Sequence, residues 1–333
     1  MPSAARRIRL LGTGTALPSA SVTSLELDSV LGLPPGSVER RTGVRRRFVE
    51  NRRTAASLGA EAAAAALADA GLTIADVDCV LGAGGTPDQA MPGNAALIHR
   101  ELGPAAHTIP AFDVGASCLS FAVALDTAAC LIDAGRYRRI LIAASDIASC
   151  GVDWETLEAA GIFGDGAAAV VVGPAEGSTS ALLASAFATY SEGARYCEIK
   201  GGGSRHHPSR ISEPFLPLAR FRMDGPAVFR LAAEKLPALV SSVLEAAGAR
   251  MDEMAVVVPH QASAHVLRWL RRRFRIRPEQ LVDIFTEHGN QVAASLPSAL
   301  HAAIRDGRLR RGEKVLLLGS GAGVSFGGMV LCY

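Results

Sequence analysis

The sequence Leu67-Ala-Asp-Ala-Gly71 returns as Leu244-Glu-Ala-Ala-Gly248, 177 residues further along the chain. A second pair follows in the same order at an offset of 172: Ile132-Asp-Ala-Gly-Arg-Tyr-Arg-Arg139 and Ile304-Arg-Asp-Gly-Arg-Leu-Arg-Arg311. Each stretch is helix-like, reaches a glycine and leads into an apolar run. Chance similarity between alanine-rich helices explains one such match. Two matches in order indicate a duplicated unit.

Apolar runs alternate with helix-length segments in both copies. Apolar or β-branched composition predicts strands at 7–12, 77–82, 108–114, 139–144, 167–172, 255–258, 281–285 and 315–318. Alanine and leucine at a 3.6-residue period predict helices at 54–70, 119–134, 226–247, 262–274 and 295–306. Continuous apolar strands are typical of sheets covered by helices on both faces. We therefore predict a layered α/β fold with two pseudo-equivalent sheets.

Loop composition is strongest at 173–180 and 201–208. The first of these loops predicts a boundary near Pro174, which divides the chain into halves 1–174 and 175–333. The second predicts a long surface loop over 193–220.

The composition is that of a globular protein with a large core. Of 333 residues 49% are hydrophobic and 20% charged, which excludes extensive disorder. Lys plus Arg number 34 against 32 Asp plus Glu, so the charge balance does not suggest a nucleic-acid partner. Glycines interrupt the uncharged stretch 315–333 and the chain start, so we expect neither a membrane span nor a signal peptide. Six cysteines without a CxxC pair indicate reduced thiols and a cytoplasmic protein.

The first chemical pattern is Phe112-Asp-Val-Gly-Ala-Ser-Cys118, in which a strand runs through small residues into a helix. This places the Cys118 sulfur on the first helical turn, where unpaired N–H groups and the helix dipole are expected to lower the thiol pKa. The alternative is a buried structural cysteine, which is how we interpret Cys79 and Cys130.

Two further strand-to-helix turns carry polar side chains. His260 lies at the tip of Val256-Val-Val-Pro-His260-Gln-Ala-Ser263, and Asn290 follows a glycine in Glu287-His-Gly-Asn290. Taken alone, His260 is a capping or core residue and Asn290 a helix N-cap. In two pseudo-symmetric halves, however, these turns meet the Cys118 turn at the same strand ends, where α/β sheets place their sites.

In this order, Cys118 in DVGASC, His260 in PHQAS and Asn290 in GNQVAAS resemble the Cys-His-Asn triad of the β-ketoacyl-acyl carrier protein synthase III family, in the thiolase superfamily. The resemblance extends over the whole chain through other motifs: Gly12-Thr-Gly14, Glu39-Arg-Arg-Thr-Gly43, Phe163-Gly-Asp-Gly166, Met223-Asp-Gly225 and Gly321-Ala-Gly323-Val-Ser-Phe-Gly327. It implies a thiolase-like fold whose two pseudo-symmetric halves form αβαβα layers.

The resemblance also implies a mechanism without a metal or a redox cofactor. Cys118 attacks an acyl thioester, and N–H groups of Cys118 and of the turn from Gly321 to Gly323 bind the oxyanion. Malonyl-acyl carrier protein then loses carbon dioxide while His260 and Asn290 donate hydrogen bonds to the enolate. The implied substrate or coenzyme contacts are Arg41, Met91, Gly225, Phe229 and Ser263, with Met91 reaching the acyl pocket of the partner in a homodimer.

The chain departs from the family pattern at the coenzyme site. Ser37 stands where a tryptophan is usual, and Leu157 lies where an arginine is expected. Ser263 replaces the asparagine of the HQAN motif, and His265 replaces an arginine. These differences point to an acyl donor other than acetyl-coenzyme A. The arginines of the helix after His260 predict either an ordinary solvated helix face or a docking surface for an acidic acyl carrier protein, at Arg268, Arg271, Arg272 and Arg275.

Other activities fit parts of this pattern. The same acyl-cysteine could pass its acyl group to an alcohol or amine, although Asn290 is then superfluous. A degradative thiolase needs a second catalytic cysteine, which the stretch from Gly319 to Gly323 lacks. A non-catalytic partner subunit is expected to lose the triad. Neither the identity of the acyl donor nor its carrier, coenzyme A or carrier protein, follows from the sequence.

Overall fold

The computed structural model describes residues 5–333, apart from the side chain of Glu158. Its strands are β1 (Ile8–Ala16), β2 (Ser21–Thr23), β3 (Arg46–Phe48), β4 (Cys79–Gly82), β5 (Ala111–Asp113), β6 (Ile140–Asp146), β7 (Gly166–Pro174), β8 (Ala181–Thr189), β9 (Cys197–Glu198), β10 (Arg222–Met223), β11 (Met254–Pro259), β12 (Lys314–Gly321) and β13 (Ser325–Cys332). Its helices are α1 (Ser24–Val30), α2 (Ser37–Thr42), α3 (Ala55–Asp69), α4 (Asn94–Glu101), α5 (Ser120–Asp133), α6 (Leu157–Ala160), α7 (Leu216–Ala219), α8 (Gly225–Ala246), α9 (Ala264–Arg273), α10 (Phe285–His288) and α11 (Ser295–Arg305).

The two large sheets repeat one topology. The first has the order β1-β7-β6-β4-β5 and the second the order β8-β13-β12-β11. In the first sheet β4 and β6 are parallel, whereas β7 is antiparallel to β6 and to β1. In the second sheet β11 and β12 are parallel, whereas β13 is antiparallel to β12 and to β8. The predicted pair of pseudo-equivalent sheets is confirmed, and β5 is an extra strand at the edge of the first.

The glycines of the sequence repeat end equivalent helices. Gly71 follows α3 and Gly248 follows α8, with φ angles of +66° and +57°. This left-handed conformation is accessible to glycine without a steric penalty, so it closes each helix and redirects the chain toward the next strand. The repeated motif therefore corresponds to a repeated helix-glycine-strand unit.

Side chains of the strands alternate between two core layers. In β6, Ile140 and Ile142 pack in the cluster that contains α5 and α11, whereas Leu141 packs on the other face with α3 and α4. In β12, Leu317 faces α5 and α11, whereas Leu316 packs with α8 and α9. The layers are therefore α3 and α4, the first sheet, α5 and α11, the second sheet, and α8 and α9. The αβαβα arrangement follows from this alternation.

Two expectations from the sequence were wrong, and two long strands were missed. The run 281–285 forms a single bridge between Leu281 and Val257 rather than a strand, because α10 begins at its last residue. The sequence did not predict β8 and β13, which lie next to each other in the second sheet. Cys130 is exposed rather than buried; it lies in the last turn of α5, and the Arg6 guanidinium contacts its sulfur at 2.7 Å.

The structure has loops at the two positions where the composition predicts them. The first sheet ends at Pro174 and the second begins at Ala181, so the loop at 173–180 separates them. Between β8 and α8, residues 190–224 contain only short strands and single helical turns. No helix within residues 5–333 is both long enough and apolar enough to cross a membrane.

Candidate active site

Cys118 occupies a tight turn between β5 and α5. Residues 117–119 form one turn of 3-10 helix, and Ser117 has a φ angle of +55°, a sparsely populated conformation for a residue other than glycine. The Ser120 hydroxyl accepts from the Ala116 N–H at 2.9 Å and donates to the Ser117 carbonyl at 2.6 Å, which fixes the turn. The Cys118 N–H donates to no oxygen of residues 5–333. The turn therefore presents a thiol beside an unused N–H donor.

The environment of the thiol opposes ionisation. Cys118 packs against an apolar cluster that includes Phe163, Val292 and Trp154. Burial, with a smaller contribution from the Asp146 carboxylate, raises the pKa of the Cys118 thiol to about 12. The Ser117 hydroxyl and the Cys118 N–H lower the pKa but are outweighed. The predicted lowering of this pKa was wrong, because desolvation of the thiolate exceeds the stabilisation that the start of the helix provides.

His260 directly follows β11, and its backbone holds it against β12. Its N–H donates to the Leu318 carbonyl at 2.7 Å, and the neighbouring Gln261 amide donates to the Pro259 and Val282 carbonyls at 2.8 and 3.1 Å. The His260 residue is 5% exposed, and its Nδ1 is buried without a hydrogen-bond partner. Burial lowers the pKa of the ring to about 4. His260 is therefore neutral at pH 7.

Asn290 is oriented by its own turn. Its backbone forms an isolated bridge with Phe163, before β7, since its N–H donates to the Ile162 carbonyl at 2.9 Å. Its Oδ1 accepts from the Val292 N–H at 2.9 Å and from the Ser295 hydroxyl at 3.4 Å. The side chain is thus an acceptor within the turn rather than a cap of α11. The amide nitrogen donates to no oxygen of the described chain and remains available to a ligand.

Backbone contacts bring the three turns together. A Cβ on Gly321, at the end of β12, would lie 2.5 Å from the Ala116 carbonyl oxygen, so the strand beside His260 abuts the Cys118 turn. A Cβ on Gly85 would lie 2.7 Å from the Val292 side chain and 3.4 Å from the Ser117 carbonyl carbon. The turn of Asn290 therefore meets the turn of Cys118 across Gly85. The predicted convergence of three turns is confirmed at the level of the backbone.

Asp146, which the sequence reasoning missed, lies at the end of β6 and is fully buried. Its Oδ1 accepts from the Gly85 N–H at 2.7 Å and from the Thr86 N–H at 2.8 Å, and its Oδ2 accepts from the Ala293 and Ala294 N–H groups at 3.0 and 3.1 Å. Burial raises the pKa of this carboxyl to about 6. The sequence did contain a signal for Asp146, because this residue ends the otherwise uncharged run Ile140-Leu-Ile-Ala-Ala-Ser-Asp146.

A cavity of about 130 Å³ leads to His260. Its lining is largely apolar and includes the predicted Gly225, Phe229 and Ser263, together with Trp269. The Ser263 hydroxyl accepts from the Val266 N–H at 3.2 Å and caps α9. Phe229 packs edge-on against the rings of His265 and Trp269, at 4.8 and 5.7 Å between centroids.

The other predicted residues lie around this centre. Arg41 is exposed in the last turn of α2, whose closing residue Gly43 abuts Ala264 at the start of α9. Gly323 lies in the turn between β12 and β13. Met91 is 84% exposed. The docking arginines are exposed on and just after α9, and none forms an ion pair within the described residues: Arg268, Arg271, Arg272 and Arg275.

The positions that depart from the family pattern are placed as follows. Ser37 is buried at the start of α2, where its hydroxyl accepts from Arg40 at 3.2 Å. Leu157 begins α6, and His265 is exposed on α9.

In the part of the chain that the structure describes, no group of three or more His, Cys, Asp or Glu side chains is arranged to hold a metal ion.

Comparison with known proteins agrees with this geometry. Residues 112–191 match the 3-oxoacyl-[acyl-carrier-protein] synthase III family, and residues 244–333 match its C-terminal part. The chain is 36% identical over 327 residues to the β-ketoacyl-[acyl-carrier-protein] synthase III of Bordetella petrii, covering 96% of each chain. It is 32% identical to the crystal structure of 3-oxoacyl-(acyl carrier protein) synthase III from Pseudomonas aeruginosa, with a TM-score of 0.87 and 98% of each chain covered.

A third similar protein comes from a polyketide biosynthetic pathway. The crystal structure of the priming β-ketosynthase from the R1128 polyketide biosynthetic pathway is 28% identical, with a TM-score of 0.86, over 98% of this chain and 96% of that one. The duplicated αβαβα layers are thus the thiolase-like fold of these condensing enzymes. With a relative 36% identical across nearly its full length, the chain belongs to the β-ketoacyl-acyl carrier protein synthase III family.

Proposed function

We propose that the protein is a condensing enzyme that acylates Cys118 and then joins this acyl group to malonyl-acyl carrier protein with loss of carbon dioxide. The observation that carries the proposal is the meeting of the Cys118 turn with a neutral His260 and with Asn290, whose amide nitrogen is unused. An acyl thioester on Cys118 divides one difficult condensation into two easier steps.

In the first step the Cys118 sulfur forms a bond to the acyl carbon and the thiol of the donor leaves. The raised pKa means that Cys118 is a thiol at rest, so its proton is lost only as the new bond forms. The proton ends on the departing thiol, and the step has no net proton change. The unused Cys118 N–H supports a role in binding the oxyanion, for which Gly321 lies on the adjacent strand end.

In the second step malonyl thioester loses carbon dioxide, and its enolate carbon attacks the acyl carbon on Cys118. The carbon–sulfur bond breaks, and the sulfur takes up a proton. Because His260 Nδ1 is buried without a partner, the neutral ring favours its proton on Nε2, since a buried N–H without an acceptor costs more than an empty lone pair. Nε2–H of His260 and the amide N–H of Asn290 then stabilise the enolate oxygen as its charge develops.

The acyl donor in this proposal is not acetyl-coenzyme A. Support comes from the two missing side chains of the coenzyme site, at Ser37 and Leu157, and from Ser263, whose hydroxyl caps α9. A cavity lined mainly by apolar side chains accommodates the uncharged arm of a carrier or coenzyme thioester better than a phosphate. Arg268 is next to Trp269, which lines that cavity, and Arg271 and Arg272 lie in the last turn of α9; these exposed arginines attract an acidic carrier protein.

The enzyme is proposed to act as a homodimer. Each of its chains is proposed to consist of two halves, 1–174 and 175–333. β5 is an edge strand of the first sheet, and its Phe112 is 40% exposed. An exposed strand edge is a liability unless it is paired or covered, and a second copy can pair with this one. Met91, exposed in the single chain, is then available to the partner's acyl pocket.

Acyl transfer to an alcohol or amine is the second candidate, and it uses the same acyl-cysteine. The unused Asn290 amide nitrogen favours condensation, because only an enolate requires a second donor of this kind.

The test is intact-protein mass spectrometry with a panel of acyl-coenzyme A and acyl-carrier-protein thioesters. Acylation at Cys118 that malonyl-carrier protein discharges to a β-ketoacyl product supports condensation. Discharge only by alcohols or amines supports the second candidate.

A further inference from the structure

Asp146 connects two segments that come from different halves of the chain. Gly85 and Thr86, which bond to its Oδ1, follow β4 in the first half. Ala293 and Ala294, which bond to its Oδ2, follow Asn290 in the second half. The Thr86 hydroxyl adds a fifth hydrogen bond, at 3.0 Å to Oδ1.

The bonded segments are the ones that frame the proposed chemistry. Gly85 lies against Ser117, the residue before the nucleophile. Ala293 is next to Val292, whose N–H holds Oδ1 of Asn290. Val292 has a φ angle of +53°, a conformation that a β-branched residue adopts only when its surroundings impose it. The two N–H bonds to Asp146 directly after Val292 supply such a restraint.

We propose that Asp146 is a positioning residue, which holds the amide of Asn290 toward the Cys118 turn by binding the two segments with its two oxygens. The inference rests on the proposed function, since it concerns the donor that the enolate needs. Asp146 itself contacts no substrate atom in this account. Within the described residues, every hydrogen-bond partner of its carboxylate is an N–H or a hydroxyl that donates, so its charge is matched by donors only.

Asp146→Asn tests the proposal because the change is selective. An asparagine has one acceptor oxygen, which stays with the three donors of Gly85 and Thr86. Its NH₂ group then faces the N–H groups of Ala293 and Ala294. The Ala294 N–H keeps its 3.0 Å bond to the Gln291 carbonyl, but the Ala293 N–H loses its acceptor, so the turn of Asn290 is loosened while the Thr86 side stays bonded. We expect kcat for condensation to fall about ten- to hundredfold, as for an N–H group left unpaired, with KM for malonyl-carrier protein changed less than about threefold. Acylation of Cys118 should be unchanged or faster, because neutralising Asp146 removes one of the charges that raise the thiol pKa.

Two variants separate this role from general damage. Asp28 is also buried, and its two oxygens accept from the Gly36 and Val38 N–H groups at 2.5 and 2.8 Å. Asp28→Asn is expected to lower thermal stability comparably without changing the ratio of condensation to acylation. Asn290→Ala is expected to lose condensation, and adding Asp146→Asn to it should cost less than about threefold more, because both act through one group.

The outcomes are distinct. Parental condensation in Asp146→Asn, equal loss of both half-reactions, or additive losses with Asn290→Ala would overturn the positioning role. Parental condensation in Asn290→Ala would instead overturn the proposed function. If Asp146→Asn does not fold, Thr86→Val removes one of the five donors without a change of charge, and it also removes the acceptor of the Ile147 N–H. A smaller selective loss of condensation in that variant supports the role, and an unchanged ratio overturns it.

Discussion

The Val292 N–H donates a 2.9 Å hydrogen bond to Oδ1 of Asn290, and this bond decides which end of the amide is available. With the oxygen engaged inside the turn, the nitrogen is left to face a ligand. An N-cap side chain uses its oxygen in a similar way, but here the bond stays within the turn and does not cap α11. The Asn290 side chain can therefore stabilise its own turn through Oδ1 and donate a hydrogen bond to an enolate through its amide nitrogen.

Replacement of the Asn290 amide by a carboxylate removes the donor with little change of shape. In Asn290→Asp we expect decarboxylation of malonyl-carrier protein to fall at least about a hundredfold, because a negative oxygen then faces the enolate. Acylation of Cys118 should stay within about threefold of the parent. Single-turnover assays of each half-reaction measure this. Asn51→Asp makes the same change at an exposed position and should behave as the parent.

The pKa of the Cys118 thiol predicts slow alkylation. Because burial raises this pKa to about 12, the thiolate fraction grows throughout the accessible range. The rate of iodoacetamide modification at Cys118 should rise about tenfold per pH unit between about pH 7 and 10, without a plateau. Peptide mass spectrometry resolves this site from the other cysteines. A plateau below pH 8 would show a lowered pKa instead.

The neutral state of His260 predicts an acidic titration. Burial lowers its pKa to about 4, so its NMR signals, assigned with His260→Ala, should keep their neutral positions down to about pH 5. Between about pH 6.5 and 4 the unfolded chain binds a proton that the folded protein does not bind. This residue should therefore lower the free energy of unfolding as pH falls, by about 3 kcal/mol in total. A midpoint near 6.5 would contradict the account.

The docking surface predicts an effect on one half-reaction. Arg271→Glu combined with Arg272→Glu should raise KM for malonyl-carrier protein about tenfold or more at low salt, and less at high salt. Acylation from small soluble thioesters should be unaffected. The same charge change at Arg52 and Arg136, which are exposed and form no ion pair within the described residues, is the matched control. Equal damage to both half-reactions would indicate a folding defect rather than lost docking.

The proposed dimer predicts that Met91 shapes a pocket in the other subunit. Light scattering at micromolar concentration should give twice the mass of the chain. Met91→Trp should shorten the range of acyl groups accepted at Cys118, because a larger and stiffer side chain fills space that methionine leaves adaptable. A monomer, or a dimer with an unchanged acyl profile, would remove Met91 from the pocket.

The repeat of Leu67–Gly71 in the second half predicted the two sheets, because it marks a helix and its terminator, both of which depend on local sequence. It also predicted that the turns of Cys118, His260 and Asn290 meet. β8 was missed because its alanine-rich sequence has no clear alternation, and Asp146 was missed because its partners are backbone groups distant in the chain. The thiol pKa had the wrong sign, because desolvation depends on packing that local sequence does not show.

The measurement that tests the central claim most directly follows one acyl group through both steps. The protein is acylated with a labelled thioester identified by the donor panel, freed of excess donor, and mixed with malonyl-carrier protein. We expect the label at Cys118 to transfer to a β-ketoacyl-carrier protein with one equivalent of carbon dioxide, and Cys118→Ala to take up no label. Label that persists on Cys118→Ala, or that leaves Cys118 without carbon dioxide and without a new carbon–carbon bond, would contradict the account.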